Sequence, residues 1–281
     1  MAIEDVGIAG VKVQRVSRLP DSLDGTVRVG PHSMARPGTL LRILSGVGRF
    51  AAQGGTSIDY CPEKEADPAA VEAVLKGSVL GAIIHQRGEL PLHATTLVEP
   101  GGAFAVALAG HSGAGKSTTA YALASRGWTL LADDLTRVTF VEGAPIAWPG
   151  RSRLRLMEDA CLRFRLDPAR LDEAPNWPGK YVVDLKGADR AVALAAVVAL
   201  ERGEGPLEVQ ALRGAAAART LTEQTYRLHY VAALGQSRRH FETIAMTATR
   251  AQILRVRGRA PVEEVAAAIN RTLSVDLHGR P

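Results

Sequence analysis

Two runs in the chain, FAVALA (104–109) and AVALAAVVAL (191–200), lack the polar alternation of a half-exposed strand. Such runs predict strands covered on both faces. The first 66 residues read differently. VKVQRV (11–16), TVRVG (26–30), LLRIL (40–44) and SIDYC (57–61) are short and β-branched or alternating, with glycines at 25, 30, 38, 54 and 55 as breaks. They predict a small β-rich domain over 1–66, followed by a larger α/β domain over 67–281.

That second domain opens with a helix: Asp67 is the N-cap, Pro68 sits at the first helical position, and Val71, Val74, Leu75, Val79 and Ala82 share a face until Gly88. LPLHATTLV (90–98) predicts a strand. The turn Pro100-Gly101-Gly102 leads into FAVALA, a helix follows from about Lys116 to Ala124, and WTLLA (128–132) predicts the next strand. This is a βαβ unit, right-handed by default. Further on, RLRL (153–156) and LEVQAL (207–212) suggest strands, and 165–180 suggests an exposed loop at NWPGK. Thr220 and Glu223 have the spacing of a capping box, which predicts a helix ending at Gly235. Ser237 caps another helix, QILRV is a strand, and Pro261 starts a terminal helix with Val262, Val265, Ala266, Ile269 and Leu273 on one face.

The chain has 281 residues, 46% hydrophobic and 22% charged, enough for a large buried core. Its net charge of +5 suits an anionic ligand such as ATP or an acidic peptide. Aromatics at 5% and dispersed arginines argue against nucleic acid. Cys61 and Cys161 have no CxxC pairing and read as idle thiols of a reducing compartment. The run at 191–200 is too short for a bilayer, and MAIEDVGIAG is no signal peptide. The expectation is a cytoplasmic protein without a membrane partner; a homo-oligomer stays open.

The chemistry concentrates in AGHSGAGKSTTAYALASRGWTLLADDLTRV (109–138). Gly110, Gly115, Lys116 and Ser117 fit G-x-x-x-x-G-K-[ST] between a predicted strand and a predicted helix. Gly110, Ser112, Gly113, Ala114, Gly115 and Thr118 complete a backbone nest for phosphate oxygens. Lys116 would reach the terminal phosphates and the Ser117 hydroxyl would ligate Mg²⁺. Asp133 and Asp134 follow only one helix later, at the end of the next strand, where carboxylates face the same crevice. One could hold the metal and the other could take a proton from an attacking hydroxyl.

LPLHATTL (90–97), GHSGAGKST (110–118) and RGWTLLADDLTRV (126–138) resemble the HPr kinase/phosphorylase superfamily, and most of all the serine kinases that act on lasso-peptide precursors. The resemblance covers residues 80–160 well. It implies a P-loop, HPr-kinase-like (phosphoenolpyruvate-carboxykinase-like) α/β core. It also implies Asp133 as general base, Asp134 as a second Mg²⁺ ligand beside Ser117, and His93 approaching the reaction centre. The resemblance leaves HPr recognition and the phosphorylase reaction open. Lys180, in NWPGKY, is a candidate to cover the phosphates, and Arg153 and Arg155 share a strand face. The expected activity is transfer of the γ-phosphate of ATP to a serine of a peptide or protein, at or near the C-terminus of a lasso-peptide precursor. The alternatives are an HPr-type protein kinase, a small-molecule kinase, and a nucleotide-binding regulator that transfers nothing.

Overall fold

β1 (Lys12–Arg15), β2 (Val27–Arg28), β3 (Ser33–Arg36), β4 (Thr39–Leu44), β5 (Gly48–Gln53) and β6 (Ser57–Pro62) form a sheet in the order β1-β6-β5-β4-β3-β2. Only β1 runs parallel to its neighbour. The computed structural model describes residues 3, 5–174 and 177–278. These divide into two compact units, one running up to Pro91 and including Thr225–Thr243, the other comprising Leu92–Gln224 and the residues from Ile244 on.

In the first unit the sheet's core is Leu40, Leu41, Phe50, Ile58 and Tyr60. Asp67 caps α1 (Pro68–Val74) by accepting from the Ala69 N–H at 3.0 Å. A π-helical turn, Leu75–Val79, joins α1 to α2 (Leu80–Gln86). The whole stretch Pro68–Gln86 is long and apolar enough to cross a membrane, yet Val71, Leu75, Val79, Ala82, Ile83 and Ile84 are buried within the protein.

The unit boundary differs from the expected one at residue 66. The helix belongs with the sheet because Gln86 accepts from the Gly55 N–H (2.7 Å) and donates to Ala52 O (3.0 Å), while Arg87 donates to Gly55 O (2.7 Å). The returning segment Thr225–Thr243 joins the same unit. Tyr226 packs on Gly81, where a Cβ would lie 2.9 Å from its ring, and buried Tyr230 meets Ser33 at 3.2 Å.

β7 (Leu90–Leu92) leads into the second unit. There the chain forms β8 (Ala94–Val98), β9 (Ala105–Ala109), α3 (Lys116–Ala124), β10 (Thr129–Ala132), β11 (Thr136–Val141), β12 (Ala144–Ala147), β13 (Arg153–Met157), α4 (Glu158–Arg163) and β14 (Lys180–Asp184). β15 (Val192–Arg202), β16 (Glu208–Leu212) and α5 (Gly214–Glu223) follow. α6 (Ser237–Arg250) begins in the first unit, and β17 (Gln252–Gly258) and α7 (Val262–His278) end the described chain.

The sheet order is β10-β8-β9-β15-β17-β16. β15 is parallel to both β9 and β17, and β8 is antiparallel to β9 and β10. The βαβ crossover from β9 to β10 therefore passes over β8. On one face Leu108, Val198, Leu200, Leu254 and Val256 pack with Leu123 of α3 and Ile269 and Leu273 of α7. Ala105, Ala107, Ala109, Val197 and Ala199 are buried as well, as the unbroken apolar runs require.

Three further expectations fail. Thr220 and Glu223 open no helix: α5 begins at Gly214 and ends at Glu223, because the alanine run 215–218 is the stronger helix former and carries Thr220 into a buried position. The stretch toward Gly235 holds only a 3₁₀ turn, Leu228–Tyr230. Lys180 lies at the start of β14, paired with Met157, rather than in an open loop.

Candidate functional site

β9 delivers the chain to the glycine-rich loop. Gly110 stands at φ +141°, and a Cβ there would fall 2.5 Å from Leu200 O, so no other residue fits without displacing β15. Its N–H donates to Gln224 Oε1 at 2.8 Å, which anchors the loop's first turn. Gly115, at φ +95°, is the N-cap of α3 and contributes no side-chain cap. The first N–H groups of a helix have no acceptor within it, so the start of α3 presents donors toward the loop.

Lys116 folds over this loop. Its ammonium donates to Gly110 O at 2.6 Å and lies 3.4 Å from both His111 O and His93 Nε2. Lysine only donates, so His93 Nε2 accepts and Nδ1 carries the ring proton. That Nδ1–H faces Asp134 O at 3.0 Å and Asp134 Oδ1 at 3.3 Å. Burial lowers the Lys116 pKa most strongly, with the Asp134 and Asp133 charges opposing the shift and Lys180 adding to it.

The acidic pair sits just past β10. Asp134 has φ +70°, and the Leu135 N–H bonds Asp133 O at 2.9 Å across it, which makes Asp134 the centre of a γ-turn with positive φ. This rare conformation sends neighbouring carboxylates to different places. Asp133 is 6% exposed and accepts from Thr95 Oγ1 at 2.7 Å. Burial raises its pKa; the Thr95 hydrogen bond, the Arg155 charge and the Asp134 N–H oppose the rise, and the Asp134 charge adds to it. The Asp134 carboxylate is about a third exposed and lies 3.6 Å from Arg155 Nη2. His93, Lys116, Asp133 and Asp134 are therefore gathered at one place, where Lys180 also acts on Lys116.

No protein-family model and no curated protein matches the chain. Among solved structures it is similar to the HPr(Ser) kinase/phosphatase from Coxiella burnetii. Identity is 11% and the TM-score 0.36, over 67% of this chain and 99% of that one. A likeness at this level carries no argument about activity, so the chemistry rests on the side chains themselves.

Several of those were not singled out from sequence. Thr95 holds Asp133, Gln224 holds Gly110, and Arg202 Nε donates to Gly113 O at 3.0 Å. Trp177 carries two cations: Lys180 Nζ lies 4.4 Å from its ring centroid and Arg155 Cζ 5.8 Å. Arg153 shares the strand face with Arg155 but pairs with Asp184 at 2.9 Å in the open. Ser112 lies exposed in the loop, and Ala114, Ser117 and Thr118 are half-buried there. No cluster of three or more His, Cys, Asp or Glu side chains suited to a metal occurs among the described residues. Mg²⁺ does not require one, since one or two carboxylates and substrate phosphates suffice. The hydroxyl of Ser117 and the accessible carboxylate of Asp134 are the hard oxygen donors it prefers.

Proposed function

We propose that the protein is an ATP-dependent kinase that transfers a phosphoryl group to a serine hydroxyl of a peptide or protein. The observation that carries this reading is Lys116, held between the carbonyls of a phosphate-type loop and His93 and acted on by the charges of Asp134 and of buried Asp133. Phosphoryl transfer requires positioned phosphates and an oriented hydroxyl. The loop backbone and Lys116 supply the first. Asp133 supplies the second: its raised proton affinity suits a base for a hydroxyl, and Thr95 fixes its orientation.

Ser117 and Asp134 would hold Mg²⁺, which when bound neutralises charge on the phosphates. His93 positions Asp134 through Nδ1 and braces Lys116 through Nε2. As phosphate enters, Lys116 exchanges Gly110 O for phosphate oxygens while the carboxylates keep their places. Lys180 and Arg155, both resting on Trp177, are the cations available to an anionic acceptor. A serine at or near the C-terminus of a lasso-peptide precursor is the acceptor the motifs favour, and its terminal carboxylate is the anionic group those cations would hold. An HPr-type kinase reaction is the second reading.

The test offers a precursor peptide ending in serine and HPr side by side, with ATP and Mg²⁺, followed by mass measurement. Gain of one phosphoryl group on the precursor serine is expected. Modification of HPr alone would move the acceptor. Nucleotide binding with no product in either case would leave a regulatory module.

A further inference from the structure

On the rim of the loop away from the acidic pair lies a cavity of about 350 Å³. Its walls come from the last residues of β15 and β17, the first turns of α3 and α7, and α4. Ligands of open α/β sheets collect outside the carboxyl ends of parallel strands, and this is such a place. We propose that this cavity receives the base and ribose of the donor nucleotide, a proposal that rests on the donor reading above.

Direction is the first argument. In a loop of this kind the lysine reaches the terminal phosphates, so Lys116 marks that end. Asp133 and Asp134 crowd the same end with negative charge. The nucleoside must therefore leave the loop on the opposite side, and Gly113, Gly115 and Thr118 belong to both the loop and the cavity.

The lining is the second argument. Leu207, Val256 and Val265 give an apolar wall for a flat ring, while Arg163, Arg202 and Arg257 add cationic, planar groups. Asp159 and Glu201 add carboxylates that can accept from hydroxyl groups such as those of a ribose. Arg202 is tied to the loop through Gly113 O, which sets its guanidinium beside the phosphate path. The volume falls at the lower end of that of small-molecule sites, enough for one nucleoside and too little for a folded partner.

Titration calorimetry with Mg²⁺ separates the two readings, using ATP and inorganic triphosphate on the wild type, Val265→Trp and Ala260→Trp. Both bulky variants should bind ATP at least about tenfold more weakly, with triphosphate affinity unchanged, which also reports an intact loop. Wild-type ATP affinity in both variants would overturn the proposal and leave the donor reading standing. Variants that bind ATP normally but lose the acceptor would assign the cavity to the acceptor and overturn the proposal in the same way. A wild type that binds neither ligand would remove the donor reading and this proposal together. Should both variants lose triphosphate as well, a fluorescent aminopurine riboside triphosphate on the wild type decides: its base should be shielded from iodide quenching when bound, and an unshielded base would overturn the proposal.

Discussion

Asp133 and Asp134 are neighbours in sequence, yet the first gives its carboxylate to Thr95 at 2.7 Å and the second turns toward His93 at 3.3 Å. The γ-turn at Asp134 separates them, so one dipeptide offers a buried carboxylate and an accessible one, which the proposed mechanism uses as base and metal ligand. Different variants should therefore fail in different ways.

Asp133→Asn keeps the shape and the Thr95 contact but removes the proposed base. Transfer should fall roughly 10²–10⁴-fold with ATP affinity retained. The same variant should raise Tm at neutral pH. The native pKa of Asp133 lies above its ordinary 3.8, so folding favours the protonated form. Its contribution is most favourable below 3.8 and declines as pH rises through the raised value. Thermal scans at about pH 4 and about pH 7 check the sign. Normal transfer by Asp133→Asn with a dead Asp134→Asn would exchange the two roles.

Thr95→Val removes a donor that favours the ionised form of Asp133. The acid limb of the kcat/KM profile should move to higher pH, and Thr95→Ser should restore it. A purely structural role for Thr95 would change stability in Thr95→Val and leave the limb in place.

Lys116→Ala removes a charge-assisted bond of roughly 1.5–3 kcal/mol. ATP affinity should fall by about one to two orders of magnitude. Undiminished binding and turnover would take the phosphate assignment away from the loop.

His85 tests the first unit. It is 1% exposed, its Nε2–H donates to Tyr226 O at 2.8 Å, and its pKa is lowered to about 4, chiefly by burial. His240, 6.3 Å away by ring centroid, is lowered by burial too. A lowered histidine gives its full stability above 6.5 and loses it as pH falls toward 4, in all about 3 kcal/mol. Tm should drop over that range in the wild type and drop less in His85→Gln. Equal slopes would show that the loss arises elsewhere.

Local features were legible in the sequence. The glycine spacing of the loop, the cap at Asp67 and the two apolar runs each act within a few residues, and each appears where expected. The β11–β12 hairpin was not foreseen, since its turn places Glu142 (φ +50°) beside Gly143 (φ +79°), and a glutamate at positive φ gives little turn signal. Thr95 and Gln224 were missed for another reason. They meet Asp133 and Gly110 across 38 and 114 positions, and only the sheet order creates those contacts. Trp177 is similar: its value to Lys180 and Arg155 depends on the β13–β14 pairing.

The first unit closes with a segment that the chain supplies late. Its sheet and the Pro68–Gln86 helix emerge early in synthesis, but Tyr226, which fills the groove at Gly81 and accepts from His85, comes only after all of Leu92–Gln224. On the ribosome this unit must wait, with an apolar helix face incompletely covered, until most of the polypeptide has been made. Nascent chains stalled before residue 225 should therefore engage chaperones through residues 68–86, and those stalled well beyond 243 should release them.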